Sequence, residues 1–104
     1  MIPASDRIAL ITGASRGIGT VIGEQFLEAG YRVALGFCRQ PGDTERLASL
    51  FPAAFPIRID VSDRTSVRTA LADVTRKFGA TADILVCNGA IAHEKPFLEL
   101  TDED

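Results

Sequence analysis

Thr12-Gly-Ala-Ser-Arg-Gly-Ile-Gly19 is the stretch that decides how this chain folds. An apolar run, Arg7-Ile-Ala-Leu-Ile11, comes before it, and Val21-Ile-Gly-Glu-Gln-Phe-Leu-Glu-Ala29 carries helical periodicity after it. Strand, glycine-rich turn, helix is an order that turns free backbone N–H groups and the positive end of a helix toward one point. A phosphate is stabilised there. In the spacing Gly13-x-x-x-Gly17-x-Gly19 the three glycines have separate duties. Gly13 lets the chain leave the strand sharply, with a positive φ if required. Gly17 removes a side chain where a pyrophosphate must approach, and Gly19 permits close helix–strand contact. The alternative is a glycine turn that serves packing alone. A P-loop is disfavoured, because no Gly-Lys-Ser/Thr follows.

Outward from this motif the chain alternates two periodicities, the pattern of a parallel α/β sheet. Strands are predicted over 7–12, 32–37, 56–60 and 83–87. Helices are predicted over 18–29, 44–50 and 63–78. The first helix reads with Ile18, Val21, Ile22, Phe26 and Ala29 on its apolar face and Gly30 as its C′ residue. Pro41-Gly42 is turn chemistry, with Asp43 or Thr44 capping a short helix that carries Leu47 and Leu50. Ser62 or Asp63 caps the third helix, whose apolar face is Val67, Ala70, Leu71, Val74 and Phe78, and Gly79 ends it. Four parallel strands in the order 3-2-1-4 make the first half only of a Rossmann-type doubly wound sheet. The fourth strand would then present an unpaired apolar edge.

Composition narrows the function. A length of 104 residues suits one domain and is too short for two. Hydrophobic content of 46% with both charge signs present marks a core-forming chain. A net charge of -3 with scattered basic residues leaves no electrostatic footprint for nucleic acid. No apolar run nears the roughly 20 residues that span a bilayer, so no membrane partner is expected. Met1-Ile-Pro-Ala-Ser-Asp6 lacks the pattern of a signal peptide, and the expected compartment is cytoplasmic. Cys38 and Cys87 are expected to stay reduced there, and two isolated cysteines fall short of a metal site.

Thr12-Gly-Ala-Ser-Arg-Gly-Ile-Gly19 resembles the cofactor signature of the short-chain dehydrogenase/reductase family. Asp60-Val61 after the third strand, Ile84-Leu-Val-Cys-Asn-Gly-Ala90 after the fourth, and Phe97-Leu-Glu-Leu-Thr-Asp-Glu-Asp104 extend the resemblance along the whole chain in the family's order. Within the family the chain looks most like the 3-oxoacyl-[acyl-carrier-protein] reductases of fatty acid biosynthesis. The resemblance implies that backbone groups of Gly13, Ala14, Ser15, Arg16, Gly17 and Ile18 bind the adenosine ribose and the pyrophosphate, with the Ser15 hydroxyl and Arg16 assisting. It implies that Asp60 accepts from the adenine amino group with Val61 beside the ring, and that Asn88 lies near the ribose and helps hold the central strands. As alternatives, Asp60 is a strand-end cap for the next helix and Asn88 a turn residue. The family's Asn-Asn-Ala-Gly stands here as Cys87-Asn88-Gly89-Ala90. Ala90 adds a methyl group close to where the nicotinamide ribose is expected, and Cys87 reads as a buried, inert strand-end thiol.

The residues after the second strand choose the nicotinamide cofactor. An NAD enzyme places an acid there, about 20 residues past the glycines, on the ribose 2′-OH. Gly36-Phe-Cys-Arg-Gln40 has none before Asp43. Arg39, beside Cys38, can pair with a 2′-phosphate through charge-assisted bonds, and Arg16 can add a second positive charge. The expected cofactor is therefore NADP(H), against the alternative of Arg39 as a solvated loop cation.

The family's chemistry depends on a serine and a Tyr-x-x-x-Lys pair that come later than residue 104. Tyr31 is the one tyrosine, and Leu35 stands where the lysine would be. His93 reads as a surface residue. Residues 1–104 are thus expected to be an N-terminal NADP-binding Rossmann fragment, ending inside an opening helix at Thr101-Asp-Glu-Asp104, with the catalytic and substrate-binding half absent. No residue is assigned a catalytic or metal-binding role. A complete enzyme would act on a small carbonyl or alcohol substrate and would form a homo-oligomer. A non-catalytic nucleotide-binding module and an inactive relic remain as alternatives.

Overall fold

The computed structural model describes residues 6–88. The elements run β1 (Ile8–Ile11), α1 (Gly17–Glu28), β2 (Arg32–Phe37), α2 (Asp43–Leu50), β3 (Ala54–Arg58), α3 (Arg64–Phe78) and β4 (Ile84–Val86). The four strands form one parallel sheet in the order β3-β2-β1-β4. This is the expected Rossmann-type half-sheet.

Alternation along the central strands builds a core on each side of the sheet. Ile8, Leu10 and Ala34 point to one face, where Ile57, Ile59, Ala70 and Val74 complete a cluster under α3. Ala9, Ile11, Val33 and Leu35 point to the other, where Leu27 of α1 and Leu47 of α2 pack on them. Two buried faces explain why β1 reads as a continuous apolar run rather than an alternating one. Asp83 secures the start of β4: its carboxylate accepts from the Ile8 N–H at 2.9 Å, and its own N–H donates to the Ile8 carbonyl at 2.8 Å.

Gly30 ends α1 as the spacing predicts. Its φ is +94°, its N–H donates to Leu27 O at 3.0 Å, and Tyr31 N–H donates to Phe26 O at 3.1 Å. Those two bonds form a Schellman motif, and the Tyr31 and Phe26 rings meet edge-to-face at 4.9 Å. At α3, Asp63 rather than Ser62 is the cap, its carboxylate accepting from the N–H groups of Thr65 and Ser66. Gly79 closes that helix in the left-handed region.

Several expectations fail, each for a physical reason. The apolar face assigned to α1 is wrong: Ile18 is 71% exposed and Val21 54% exposed, and Ala29 is exposed too. Its buried residues are Gly19, Thr20, Gly23 and Leu27. A Cβ on Gly23 would come within 2.6 Å of a Leu35 methyl, so the helix lies too close to the sheet for large residues on that face. Ile22 and Phe26 pack at the flank of the cluster. Asp43 and Thr44 do not cap α2; the cap position is Gly42 at φ +53°, and no side chain caps it. Leu47 is buried as expected, but Leu50 and Leu71 are exposed. β3 begins two residues earlier than predicted and carries Pro56 inside it, tolerated because β3 is an edge strand in this sheet. Cys87 is exposed, not buried, since β4 pairs on one side only among the described residues; Leu85 beside it is 60% exposed. Cys38 and Cys87 are both free thiols. Among the described residues no helix is long and apolar enough to cross a membrane.

Candidate nucleotide-binding site

The glycine-rich turn leaves β1 at the carboxyl end of the sheet, where β1 and β4 are held together by Thr12. Thr12 N–H donates to Val86 O at 3.0 Å, and its hydroxyl accepts from Asn88 N–H at 3.0 Å. Asn88 reaches back across the turn, its Nδ2 donating to Gly13 O at 3.3 Å. Gly13 and Gly17 both take φ +66°, a conformation that residues with a Cβ adopt only under strain. Space around Gly17 is open, with no heavy atom within 4 Å of where a Cβ would stand. Gly19 is the opposite case. A Cβ there would overlap the Gly13 carbonyl and stand 2.7 Å from Asn88 Nδ2. Two glycines two residues apart therefore serve different ends, one backbone freedom and one packing.

Ala14 lies inside the turn, with its N–H donating to Gly36 O at 2.8 Å and its carbonyl accepting from the Thr20 hydroxyl at 2.8 Å. Both of its backbone polar groups thus have partners within the fold. α1 then starts at Gly17 with Arg16 in the cap position, in extended backbone. Among the described residues no side chain bonds its first-turn amides, and its first turn holds no acid. Those amides lack carbonyl partners within the helix. They add to the positive end of the helix dipole beside the turn.

A cleft of about 910 Å³ opens beside the glycine turn and the Arg16 cap position. Of the residues assigned to the cofactor from sequence, Gly13, Ser15, Arg16, Cys38, Arg39, Asp60, Val61 and Asn88 line it. Ala14, Gly17, Ile18 and Gly19 do not, and Gly89 and Ala90 lie outside the described residues, as do His93 and the 101–104 segment. Thr12, Gln40, Gly42, Asp43 and Ile59 line the cleft without having been assigned to it. Thr12 and Gly42 carried a signal, being a strand-end threonine and a Pro-Gly turn. Asp43 is brought in only by tertiary contact, its N–H donating to Ser15 O at 2.8 Å.

Among the described residues that line the cleft are two carboxylates, Asp43 and Asp60, and two guanidinium groups, Arg16 and Arg39. Asp43 is paired with Arg46 at 3.6 Å. Asp60 accepts from the Ser62 hydroxyl at 2.6 Å and from Ser62 N–H at 3.0 Å. Those bonds, helped by the positive charges of Arg58 and Arg39, hold its carboxyl below the usual range. Asp60 thus buttresses the turn before α3, while the capping itself belongs to Asp63. Arg16 and Arg39 are exposed and form no ion pair among the described residues. Among those residues no cluster of His, Cys, Asp or Glu is arranged to hold a metal. Tyr31 lies at the amino end of β2, against Phe26, at the end of the sheet away from the cleft.

This arrangement has close counterparts. Residues 7–104 match the family described as short chain dehydrogenase. A sorbitol dehydrogenase of Cereibacter sphaeroides is 36% identical over 97 residues, which cover 93% of this chain and 38% of that protein. A 3-oxoacyl-[acyl-carrier-protein] reductase of Staphylococcus aureus is 32% identical over 100 residues, covering 92% of this chain and 40% of the other. The solved structure of an NADPH-bound carbonyl reductase from chicken fatty liver superposes with a TM-score of 0.75 at 27% identity, over 91% of this chain and 38% of that one. A dehydrogenase/reductase from Sinorhizobium meliloti 1021 gives 0.74 at 30% identity, over 91% and 39%. The chain spans about two fifths of the length of these relatives.

Proposed function

The chain belongs to the short-chain dehydrogenase family, and on that premise we propose that its cleft binds NADP(H) for an oxidoreductase that reduces a carbonyl or oxidises a secondary alcohol. The observation that carries this reading is the open start of α1. Among the described residues its amides have no capping side chain, its first turn holds no acid, and it follows directly on Ser15 and Arg16, which line the cleft together with Arg39. A diphosphate fits such a place, because uncapped N–H groups and a helix dipole stabilise anionic oxygens. The open space at Gly17 leaves room for it.

Within this reading the first turn of α1 grips the diphosphate and Arg39, aided by Arg16, pairs with the ribose 2′-phosphate. The depressed Asp60 carboxyl stays an acceptor at neutral pH, as a bond from the adenine amino group requires. Asn88, fixed to both Thr12 and Gly13, stands at the ribose end. When bound, the nicotinamide supplies the hydride acceptor or donor. Tyr31 is too far from the cleft in the fold to hand a proton to a substrate there, and Leu35 four residues on is buried in the core. The protonating group is therefore proposed to come from outside residues 6–88, and the 104-residue chain by itself is proposed not to transfer hydride. The relatives' names cover both sorbitol and 3-oxoacyl groups, so the substrate class proposed is the chemistry they share, a carbonyl or its alcohol.

Titration of the chain with NADPH and NADH, followed by nicotinamide fluorescence, tests the cofactor reading. NADPH binds more tightly, and Arg39→Asp reverses the order. One charged hydrogen bond corresponds to about a ten- to hundredfold preference. An NADPH/NADH affinity ratio that Arg39→Asp leaves unchanged overturns the assignment.

A further inference from the structure

We propose that Arg58, on the edge strand β3, is a positioning residue that sets how strongly the cleft prefers a 2′-phosphorylated dinucleotide. The inference rests on the NADP(H) reading and goes beyond it, because Arg58 is not among the residues that line the cleft. Its Nε donates to the Cys38 carbonyl at 3.0 Å, just past the end of β2. Arg58 is brought there by register: it stands opposite Phe37, and Ile59 N–H donates to Phe37 O at 2.8 Å, so the two strands are locked together up to that point.

The far end of the same loop is tied down as well. Asp43 N–H donates to Ser15 O at 2.8 Å. Gly42, at φ +53°, lies so close to Ser15 that a Cβ would overlap its carbonyl oxygen. Between the two ties lie Arg39 and Gln40, both exposed and both at the cleft. Arg58 and Arg39 both lower the Asp60 carboxyl, so both guanidinium groups lie within electrostatic reach of it. A loop fixed at both ends holds Arg39 ready for an anion. Cutting the Arg58 tie leaves Arg39 more states to lose when it binds, and that ordering cost falls on the phosphate it selects. A bare electrostatic contribution from Arg58 would act whether or not Arg39 is present; a positioning contribution acts only through Arg39.

A double-mutant cycle on the full chain separates these. NADPH and NADH affinities are measured for the unaltered chain, Arg58→Ala, Arg39→Ala and the double variant, with amide hydrogen exchange at Arg39 and Gln40. Arg58→Ala weakens NADPH binding by roughly fivefold, the scale of one hydrogen bond, and leaves NADH nearly unchanged. It speeds exchange at Arg39 and Gln40, and the double variant matches Arg39→Ala alone. Arg58→Lys, which keeps a charged donor, restores part of the NADPH affinity. Equal weakening of both cofactors, a loss that persists in the Arg39→Ala background, or unchanged NADPH binding in Arg58→Ala overturns the proposal. If Arg39→Ala itself leaves the NADPH/NADH ratio unaltered, the cofactor reading fails first and this one falls with it. Faster exchange at Arg39 and Gln40 in Arg58→Ala would still show the tie, so the two failures are told apart.

Discussion

Helices α1 and α3 pack on opposite faces of one sheet, and they begin in opposite ways. α3 is complete in itself: Asp63 bonds two of its first amides, Arg76 and Lys77 sit in its last turn, and Gly79 closes it in the left-handed region. It covers the sheet with side chains, Ala70 and Val74 buried and Val67 and Phe78 packed beside them. Among the described residues α1 has no side-chain cap, its first turn holds no acid, and its buried residues are Gly19, Thr20, Gly23 and Leu27, three of them small. The contrast teaches that a helix start can be left unfinished for a purpose. Where the amides face solvent and nothing else, a cap of Ser, Thr, Asp or Asn is the stable choice. Where the helix starts beside a cleft with arginines at its rim, the missing cap is the feature proposed to receive an anion.

Putting a methyl group on the close-packed face of α1 should break this contrast most severely. Gly19→Ala overlaps the Gly13 carbonyl and crowds Asn88, so stability should fall by about 1–3 kcal/mol. The glycine turn must shift to relieve the overlap, and NADPH binding should vanish with it. Urea denaturation and NADPH titration read the two effects. Normal stability in this variant would mean that α1 does not lie as close as described.

Exchanging the caps sharpens the comparison with a smaller effect. Asp63→Ala should cost α3 about 1 kcal/mol and leave cofactor affinity as it was. Arg16→Asp should do the reverse at α1. A capping acid raises stability by about 0.5–1 kcal/mol, while the negative charge weakens NADPH binding by tenfold or more. A parallel change in stability and affinity would show that the uncapped start has no tie to the ligand.

The smallest effect concerns Asp60, which braces the turn into α3. Its carboxyl is held low by Ser62 and then by Arg58 and Arg39. A depressed value in the folded chain means the unfolded chain binds the proton first as pH falls. The stabilisation is therefore present above the ordinary Asp value, near pH 4, and fades as pH drops through the lower folded value. Asp60→Asn should remove that part of the acid dependence and, with it, lower neutral stability slightly. Denaturation midpoints across the acid range check it; an identical slope in the variant would show that Asp60 contributes nothing there.

What could be read in advance, and what could not, divides along the same line. β2 falls at its predicted residues, and the ends of α1 and α3 fall at Gly30 and Gly79, because a left-handed C-terminus is a local demand that glycine meets. Asp63 was one of two adjacent candidates for its cap. The face of α1 was misassigned because periodicity counts apolar side chains and not the room available to them. Ile18 and Val21 are apolar and yet exposed, and Gly23 is buried for want of volume. The bond from Ala14 N–H to Gly36 O is not legible in the sequence, because its partner sits on another strand. In the site, Arg16 and Arg39 stood out by charge and spacing, whereas Gly42 and Asp43 entered through their contact with Ser15.

From its residues alone this chain determined the order of strand, glycine turn and helix, the parallel sheet that order builds, and the positive charge after β2 where an acid would favour the other cofactor. Tertiary structure alone decided which face of α1 meets the sheet, that the 38–43 loop is tied at both ends, and that Asn88 bonds a threonine 76 residues away. Caps, turns and periodicity act over a few neighbouring residues, so a linear reading captures them. Close approach and cross-strand bonding depend on volumes and partners that meet only when distant segments pack.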